Sequence, residues 1–156
     1  MNLANTRLIK QGLACHDAWR LLTEQDLGSA QLGEKLILPL PLWLAERRHE
    51  CGVWLDSQET VEPLLDALPH LPLIALRFPL FTDGRGYSQA RLLRQRHGYR
   101  GELRAIGDVQ RDQIAYMARC GFDAFQIRED QDIAECIAAL GEISIAYQAS
   151  APVAFP

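Results

Sequence analysis

From Gly52 onward, short apolar runs alternate with segments whose apolar residues recur at helical spacing, the pattern of successive βα units in a parallel α/β fold. Four such units are readable. VWL precedes QETVEPLLDALPHL, LIALRF precedes SQARLLRQRHG across a loop, ELRAIG precedes VQRDQIAYMARCG, and FDAFQI precedes EDQDIAECIAALG. Gly98, Gly121 and Gly141 each stand where a helix should stop, as expected of the left-handed residue that follows a C-terminus. Asp56 or Ser57 is placed to cap the first helix, and Asp108 and Asp130 stand ready to cap the third and fourth.

Units of about 25 residues suit either half of a β/α barrel or a small doubly wound parallel sheet. A half barrel leaves strand edges that need cover from the N-terminal region or from a second copy of the chain, so a homo-oligomer is an expectation of this arrangement. The first 50 residues read as a small β-containing cap. RLIKQGLACHDAWRLLT suggests two short strands around Gly12, and GEKLILPLPLWLAERRHE a strand running through Pro39 and Pro41 into a short helix. The expected organisation is a single domain over 1–156, with the cap region at 1–50, the βα repeat at 51–145 and an aperiodic tail at 146–156.

At 156 residues and 48% hydrophobic content, the chain can bury one sizeable core. Its four cysteines are widely spaced and contain no CxxC pair, which reads as reduced cytosolic thiols, with Cys120 and Cys136 as small core residues on predicted helices. The N-terminus lacks an apolar signal core, and no apolar run approaches the roughly 18 residues of a membrane span. A cytoplasmic protein with no membrane partner is expected. Neither Cys15 and His16 nor His49 and Cys51 has zinc-site spacing, and there is no dinucleotide fingerprint, haem motif or iron–sulfur cysteine set. No cofactor is therefore expected.

Charge changes the picture. Between Arg77 and Arg128 lie ten arginines, no lysine and five acids, so this segment carries +5 while the remainder, with six basic and 15 acidic residues, carries −9. The acidic total of −4 argues against nucleic acid as a partner, but it conceals a basic island. Arginine is a planar fork matched to oxyanions. The loop FTDGRGYS enters a predicted helix from a predicted strand, where helix-start N–H groups favour an anion. Gly84 and Gly86 would allow close backbone approach, Arg85 would add a fork, and Ser88 would donate to the ligand or cap the helix. The loop is no Walker motif, because no GK[ST] follows, and a glycine turn with a serine cap explains it equally well.

Arg91 and Arg94, three apart, should share a helix face, and Arg94 and Arg96 read as solvated, with ion pairs to Glu102 or Asp112. Arg77 and Arg104 sit inside predicted strands, where a buried arginine needs a partner such as Asp83, Asp108 or a bound anion. The anion set is thus Arg77, Gly84, Arg85, Gly86, Ser88, Arg91 and Arg104. Asp56, Asp83, Asp108 and Glu129 each follow a predicted strand, the edge at which α/β proteins place their sites. Asp83 and Asp108 are the candidate catalytic carboxylates. Asp56, Asp108 and Glu129 are weak candidates for a divalent cation.

DGRGYS, ARLLR, GELRAIGDV and MARCGFDAF, within the run from Phe78 to Asp130, resemble the hallmark of a bacterial family catalogued as domain of unknown function 934. The N-terminal pattern of Trp19, Trp43 and LILPLPLW resembles it too, so the likeness covers most of the chain. The resemblance implies no catalytic residue set. Members often carry an oxidoreductase label and are commonly encoded beside the sulfite reductase haemoprotein and other sulfate-assimilation genes, which implies a role in cysteine biosynthesis. The expectation is an accessory protein of assimilatory sulfite reduction, whose arginine face binds a sulfur oxyanion, another small anion or the reductase itself. The alternative is a small enzyme, metal-assisted or oxidoreductase-linked, acting on an anionic substrate at the strand ends.

Overall fold

The computed structural model describes residues 7–29, 33–80 and 82–150. Its strands are β1 (Leu8–Lys10), β2 (Leu13–Cys15), β3 (Trp19–Leu21), β4 (Lys35–Pro39), β5 (Gly52–Leu55), β6 (Leu73–Phe78), β7 (Glu102–Gly107) and β8 (Ala124–Gln126). They form one sheet in the order β2-β1-β8-β7-β6-β5-β4-β3. From β3 to β8 neighbours are parallel and follow chain order, whereas β1 runs antiparallel to both β8 and β2. The α-helices are α1 (Leu40–Glu46), α2 (Arg85–Arg91), α3 (Arg111–Cys120) and α4 (Ile133–Ser150).

Strictly sequential order selects the half-barrel form over the doubly wound one, in which the strand order reverses. The N-terminal strands cap the repeat at both ends: β1 and β2 cover the β8 edge, and β3 and β4 extend the β5 edge. Only residues 16–18 join β2 to β3, although these strands are the two edges of the sheet. A flat eight-stranded sheet would separate its edges by about 34 Å, and this link reaches only about 14 Å. The sheet must therefore curl strongly, giving it an inside and an outside.

Strand alternation sorts the side chains between these two faces. Leu36, Leu38, Val53, Leu55, Ile74, Leu76, Phe78, Leu103, Ala105 and Phe125 join the large core that includes Trp43, Leu64, Leu93, Ile114 and Met117 from the connecting segments. The alternate positions Ile37, Leu73, Ala75 and Ile106 form a smaller inner cluster with Trp19, Leu21 and Trp54. Arg104 lies in register between these inner positions and is 1% exposed.

Several local expectations change. The segment after β5 winds as a 3₁₀ helix, Glu62–His70, bracketed by Pro63 and Pro69. Neither Asp56 nor Ser57 caps it, since its first position follows Val61 with no side-chain bond. The start of α3 follows Gln110 without a side-chain cap, and Asp108 is engaged elsewhere. At α4 the cap is Asp132, which accepts from Glu135 N at 3.1 Å, and not Asp130. Ser88 lies inside α2, one turn past its start, where its hydroxyl faces Gly84 O at 3.4 Å. Gly98 and Gly121 do end helical segments with φ of 64° and 120°. Gly141 does not: α4 runs through it to Ser150, a span that includes the first five residues assigned to the tail. Residues 151–156 of that tail lie outside the described residues.

Beyond Arg91 the helix widens into a π turn over Leu92–Arg96, closed by His97 N donating to Leu92 O at 3.0 Å. In that wider turn a three-residue spacing no longer keeps two side chains on one face. Arg91 stays outside, while Arg94 is buried at 7% exposure. Its Nε donates to Gly121 O at 2.9 Å, and Nη1 donates to Tyr99 O at 2.8 Å and Gly101 O at 2.9 Å. The expected solvated Arg94 is therefore a buried clamp, stable because backbone carbonyls satisfy its donors. Glu102, offered as a partner for the helix arginines, instead meets Lys10 and Arg104.

Candidate functional site

The C-terminal ends of β5 to β8 place a ring of charged residues on one rim. Asp56 follows β5, Arg77 lies near the end of β6, Asp83 stands in the next loop, Asp108 follows β7 and Arg128 follows β8. Arg77 Nη1 donates to Asp56 Oδ1 at 2.9 Å. Arg85 grips Asp83 with Nε at 3.2 Å and Nη2 at 3.1 Å. Arg128 bridges Asp108 Oδ1 at 2.6 Å and Asp130 Oδ2 at 2.8 Å.

Backbone geometry holds these groups in place. Gly107 has φ of 90°, and a Cβ there would come within 2.4 Å of Phe78 O, so the turn after β7 requires glycine. That turn lets Asp108 N donate to Phe78 O at 2.7 Å, fastening β7's exit to β6's exit. Arg128 N donates to Val109 O at 3.2 Å, which brings the β8 exit alongside. Asp83 Oδ1 accepts from Arg85 N at 3.0 Å, an Asx turn that starts α2. The hydrogen bond from the Arg85 side chain, more than any other influence, holds the Asp83 carboxyl below the usual carboxylate range. Reciprocally, Asp108 raises the Arg128 guanidinium.

The structure divides the seven candidate anion residues. Gly84, Arg85 and Ser88 line one surface depression of about 620 Å³ together with Asp83 and Leu80. Gly86 is buried beneath α2, where a Cβ would lie 2.6 Å from the Phe78 ring, so its role is close helix–strand packing. Arg91 sits on the outer surface, donating to Tyr116 Oη at 2.9 Å with its guanidinium 5.4 Å from that ring's centre. Arg77 faces Asp56, and its partner is neither Asp83 nor Asp108. Arg104 lies inside the sheet, with Glu102 Oε2 at 2.8 Å and Asp17 Oδ2 at 2.9 Å. Lys10 joins this inner network through Glu102 at 2.8 Å, and that bond raises the lysine's pKa.

Every guanidinium proposed from sequence as a strand or loop anion contact thus already holds a carboxylate of the same chain. The rim is a set of matched pairs; in Arg85–Asp83 and Arg128–Asp108 the acid is sheltered and the base outward, whereas Arg77 and Asp56 are exposed to a similar degree. The side chains of Asp83 and Asp108 are each 11% exposed, whereas those of Arg85 and Arg128 are 60% and 41% exposed. An added anion would compete with an intramolecular carboxylate for the same fork. A low pKa and two Arg85 contacts also leave Asp83 poorly suited to accept a proton as a base.

Asp56, Asp108 and Glu129 do not converge: among the described residues no three His, Cys, Asp or Glu side chains form a metal-holding group. Glu129 is exposed in the turn after β8. Cys51, Cys120 and Cys136 are buried, and burial pushes all three thiols up, so Cys120 and Cys136 are core residues as expected. Among the described residues no helix is long and apolar enough to cross a membrane.

Two features of this rim were missed in the sequence. Arg128 follows β8 just as Asp56 and Asp108 follow their strands, so the strand-end rule that selected the acids applies to it equally. The second is a depression of about 620 Å³ beside the ends of β4 and β5, lined by Pro39, Pro41, Trp54, Asp56 and Glu59. Trp54 is fixed there by Nε1 donating to Leu22 O at 2.8 Å.

No curated protein matches the chain significantly. The family model described as a bacterial protein of unknown function, DUF934, matches residues 52–156, which take in β5 to β8 and the helices α2 to α4. DGRGYS, ARLLR, GELRAIGDV and MARCGFDAF lie between Asp83 and Phe125, within the matched span, whereas Trp19, Trp43 and LILPLPLW lie before it; the chain belongs to the DUF934 family.

Proposed function

We propose that this chain is a docking accessory of assimilatory sulfite reduction, which engages the reductase through the rim at the C-terminal ends of β5 to β8. The observation that carries the docking half of the reading is the arrangement of the rim pairs. Arg77, Arg85 and Arg128 are each oriented by a carboxylate, and Leu80 stands 63% exposed next to Arg85. Preordered outward guanidiniums on a rim that also carries an exposed apolar residue match the composition of protein interfaces, where arginine is enriched and side-chain ordering is a cost of association. A free oxyanion is the poorer occupant, because each fork already holds one. The link to sulfite reduction comes from the family resemblance, through its implied neighbourhood with the reductase genes.

The test is direct binding of the purified chain to the sulfite reductase haemoprotein, followed at increasing salt. Binding that weakens steeply with salt, and that Arg85→Glu with Arg128→Glu or Leu80→Asp abolishes, supports the reading. Absence of binding at low salt, or binding indifferent to these substitutions, overturns it.

A further inference from the structure

At the opposite end of the sheet, where β6 and β7 begin, the 3₁₀ helix Glu62–His70 and the loop 97–101 flank a half-open cavity of about 570 Å³. Leu65, Leu68 and Pro69 supply an apolar wall, while His97 and Arg100 stand on the loop side. That volume falls within the range of small-molecule sites, which combine an apolar lining with a few convergent polar groups. Among the described residues, no carboxylate lines it.

The loop wall is built before any ligand arrives. Arg94 donates to Tyr99 O and Gly101 O, Tyr99 Oη donates to Leu71 O at 2.9 Å, and Tyr99 N donates to Leu93 O at 2.8 Å. Gly98 takes φ of 64° to make the turn, and a Cβ on Gly101 would lie 2.1 Å from Tyr99 Oη. These constraints fix the backbone on both sides of Arg100. Its side chain, unlike Arg77, Arg85, Arg104 and Arg128, makes no ion pair among the described residues and is exposed. A rigid loop therefore presents one uncommitted fork at the mouth of an apolar cavity.

We infer that this cavity binds a small amphiphilic carboxylate, its apolar body against Leu65, Leu68 and Pro69 and its carboxylate held by the Arg100 fork beside His97. Arginine takes a carboxylate in two parallel hydrogen bonds; an inorganic oxyanion can match that fork but leaves the apolar wall uncovered, so the apolar body is what sets the carboxylate apart. This site is separate from the rim and does not rest on the docking reading.

The experiment is a titration with 3-phenylpropionate, followed by the backbone amide signals of Gly98, Tyr99 and Gly101 and by calorimetry, with inorganic sulfate and 3-phenylpropanol as head-only and body-only probes. Saturable shifts confined to this loop, with Arg100→Gln weakening affinity about tenfold or more, are the expected result. Leu68→Ala should weaken it as well, while Arg96→Gln should leave it within about twofold, since Arg96 does not line the cavity. Arg100 is exposed, so its substitution tests binding without threatening the fold. No saturable shift up to millimolar probe, an Arg100→Gln variant that binds as well as the original, or sulfate or the alcohol binding as tightly as the carboxylate would each overturn the inference.

Discussion

Arg104 Nη1 donates to Asp17 Oδ2 at 2.9 Å, joining two residues 87 positions apart in the chain. Asp17 belongs to the three-residue link between the two edge strands, and Arg104 stands in the middle of β7. The ion pair therefore ties the bridge across the sheet's opening to the strand that faces it from inside. Glu102 takes the other side of the same guanidinium at 2.8 Å, and Lys10 takes Glu102. One arginine coordinates the cap and the repeat.

Removing that guanidinium leaves Glu102 sheltered with only Lys10 to neutralise it. Arg104→Met should cost about 3–5 kcal/mol, the usual penalty for breaking one side of a buried pair, read as a lower urea midpoint. Combining it with Asp17→Asn should add less than the single Asp17→Asn change, because the two residues share one interaction. Additive losses would show that they stabilise the fold independently.

The two glycines of DGRG should behave oppositely. Gly86→Ala pushes a methyl group to 2.6 Å from the Phe78 ring and should cost about 1–3 kcal/mol, with Phe78→Leu recovering part of the loss. Gly84 has φ of −76° and nothing within 4 Å of its Cβ direction, so Gly84→Ala should stay within about 0.5 kcal/mol. Thermal melts of the two single variants decide this.

Arg94 and Arg91 make a second contrasting pair. Arg94→Lys keeps the charge but cannot reach three carbonyls in the same plane, and should destabilise by about 2–4 kcal/mol. Arg91→Lys loses an exposed contact with Tyr116 and should cost under about 1 kcal/mol. Denaturant midpoints that rank them the other way would refute the clamp.

Asp83 and Asp123 should titrate on opposite sides of the ordinary carboxylate value of about 3.9. Arg85 lowers Asp83, so its contribution is present above that value and is lost as pH falls through its folded pKa. Burial raises Asp123 despite the hydrogen bond it accepts from Leu103 N and the nearby charge of Arg94, so between about 3.9 and its folded pKa the native state keeps a proton that the unfolded chain has lost. Stability then falls as pH rises through that window. Carboxyl-carbon NMR titrations should give a midpoint below the reference for Asp83 and above it for Asp123. Asp123→Asn should remove the corresponding slope from the stability profile.

The βα order was legible because parallel strands buried on both faces are continuous apolar runs, and Gly98 and Gly121 mark real helix ends. Gly141 carried the same signal without the same outcome, since a glycine can also lie within a longer helix whose stop is set further on. Caps misled for a related reason. Asp56, Asp108 and Asp130 have the right residue type at the right offset, but each carboxylate pairs with an arginine instead of starting a helix, Asp56 with Arg77 and both Asp108 and Asp130 with Arg128. The arginine segment's charge was visible, whereas its neutralisation was not, because Asp17 and Asp56 lie outside that segment. Arg94 turned inward through a π turn, which no three-residue periodicity announces.

The pairing of β1 with β8, from Leu8 opposite Gln126 to Lys10 opposite Ala124, sets the order in which the molecule can assemble. During synthesis the β1–β2 hairpin emerges first and must wait, without its neighbour, until nearly the whole repeat has followed. Isolated two-stranded hairpins are marginal in water, so the earliest strands made are among the last to become secure. Contacts between distant parts of the chain also slow folding. Until β8 has been made, the nascent chain therefore presents an unpaired β1 edge, and the exposed interval ends only when β8 arrives beside it.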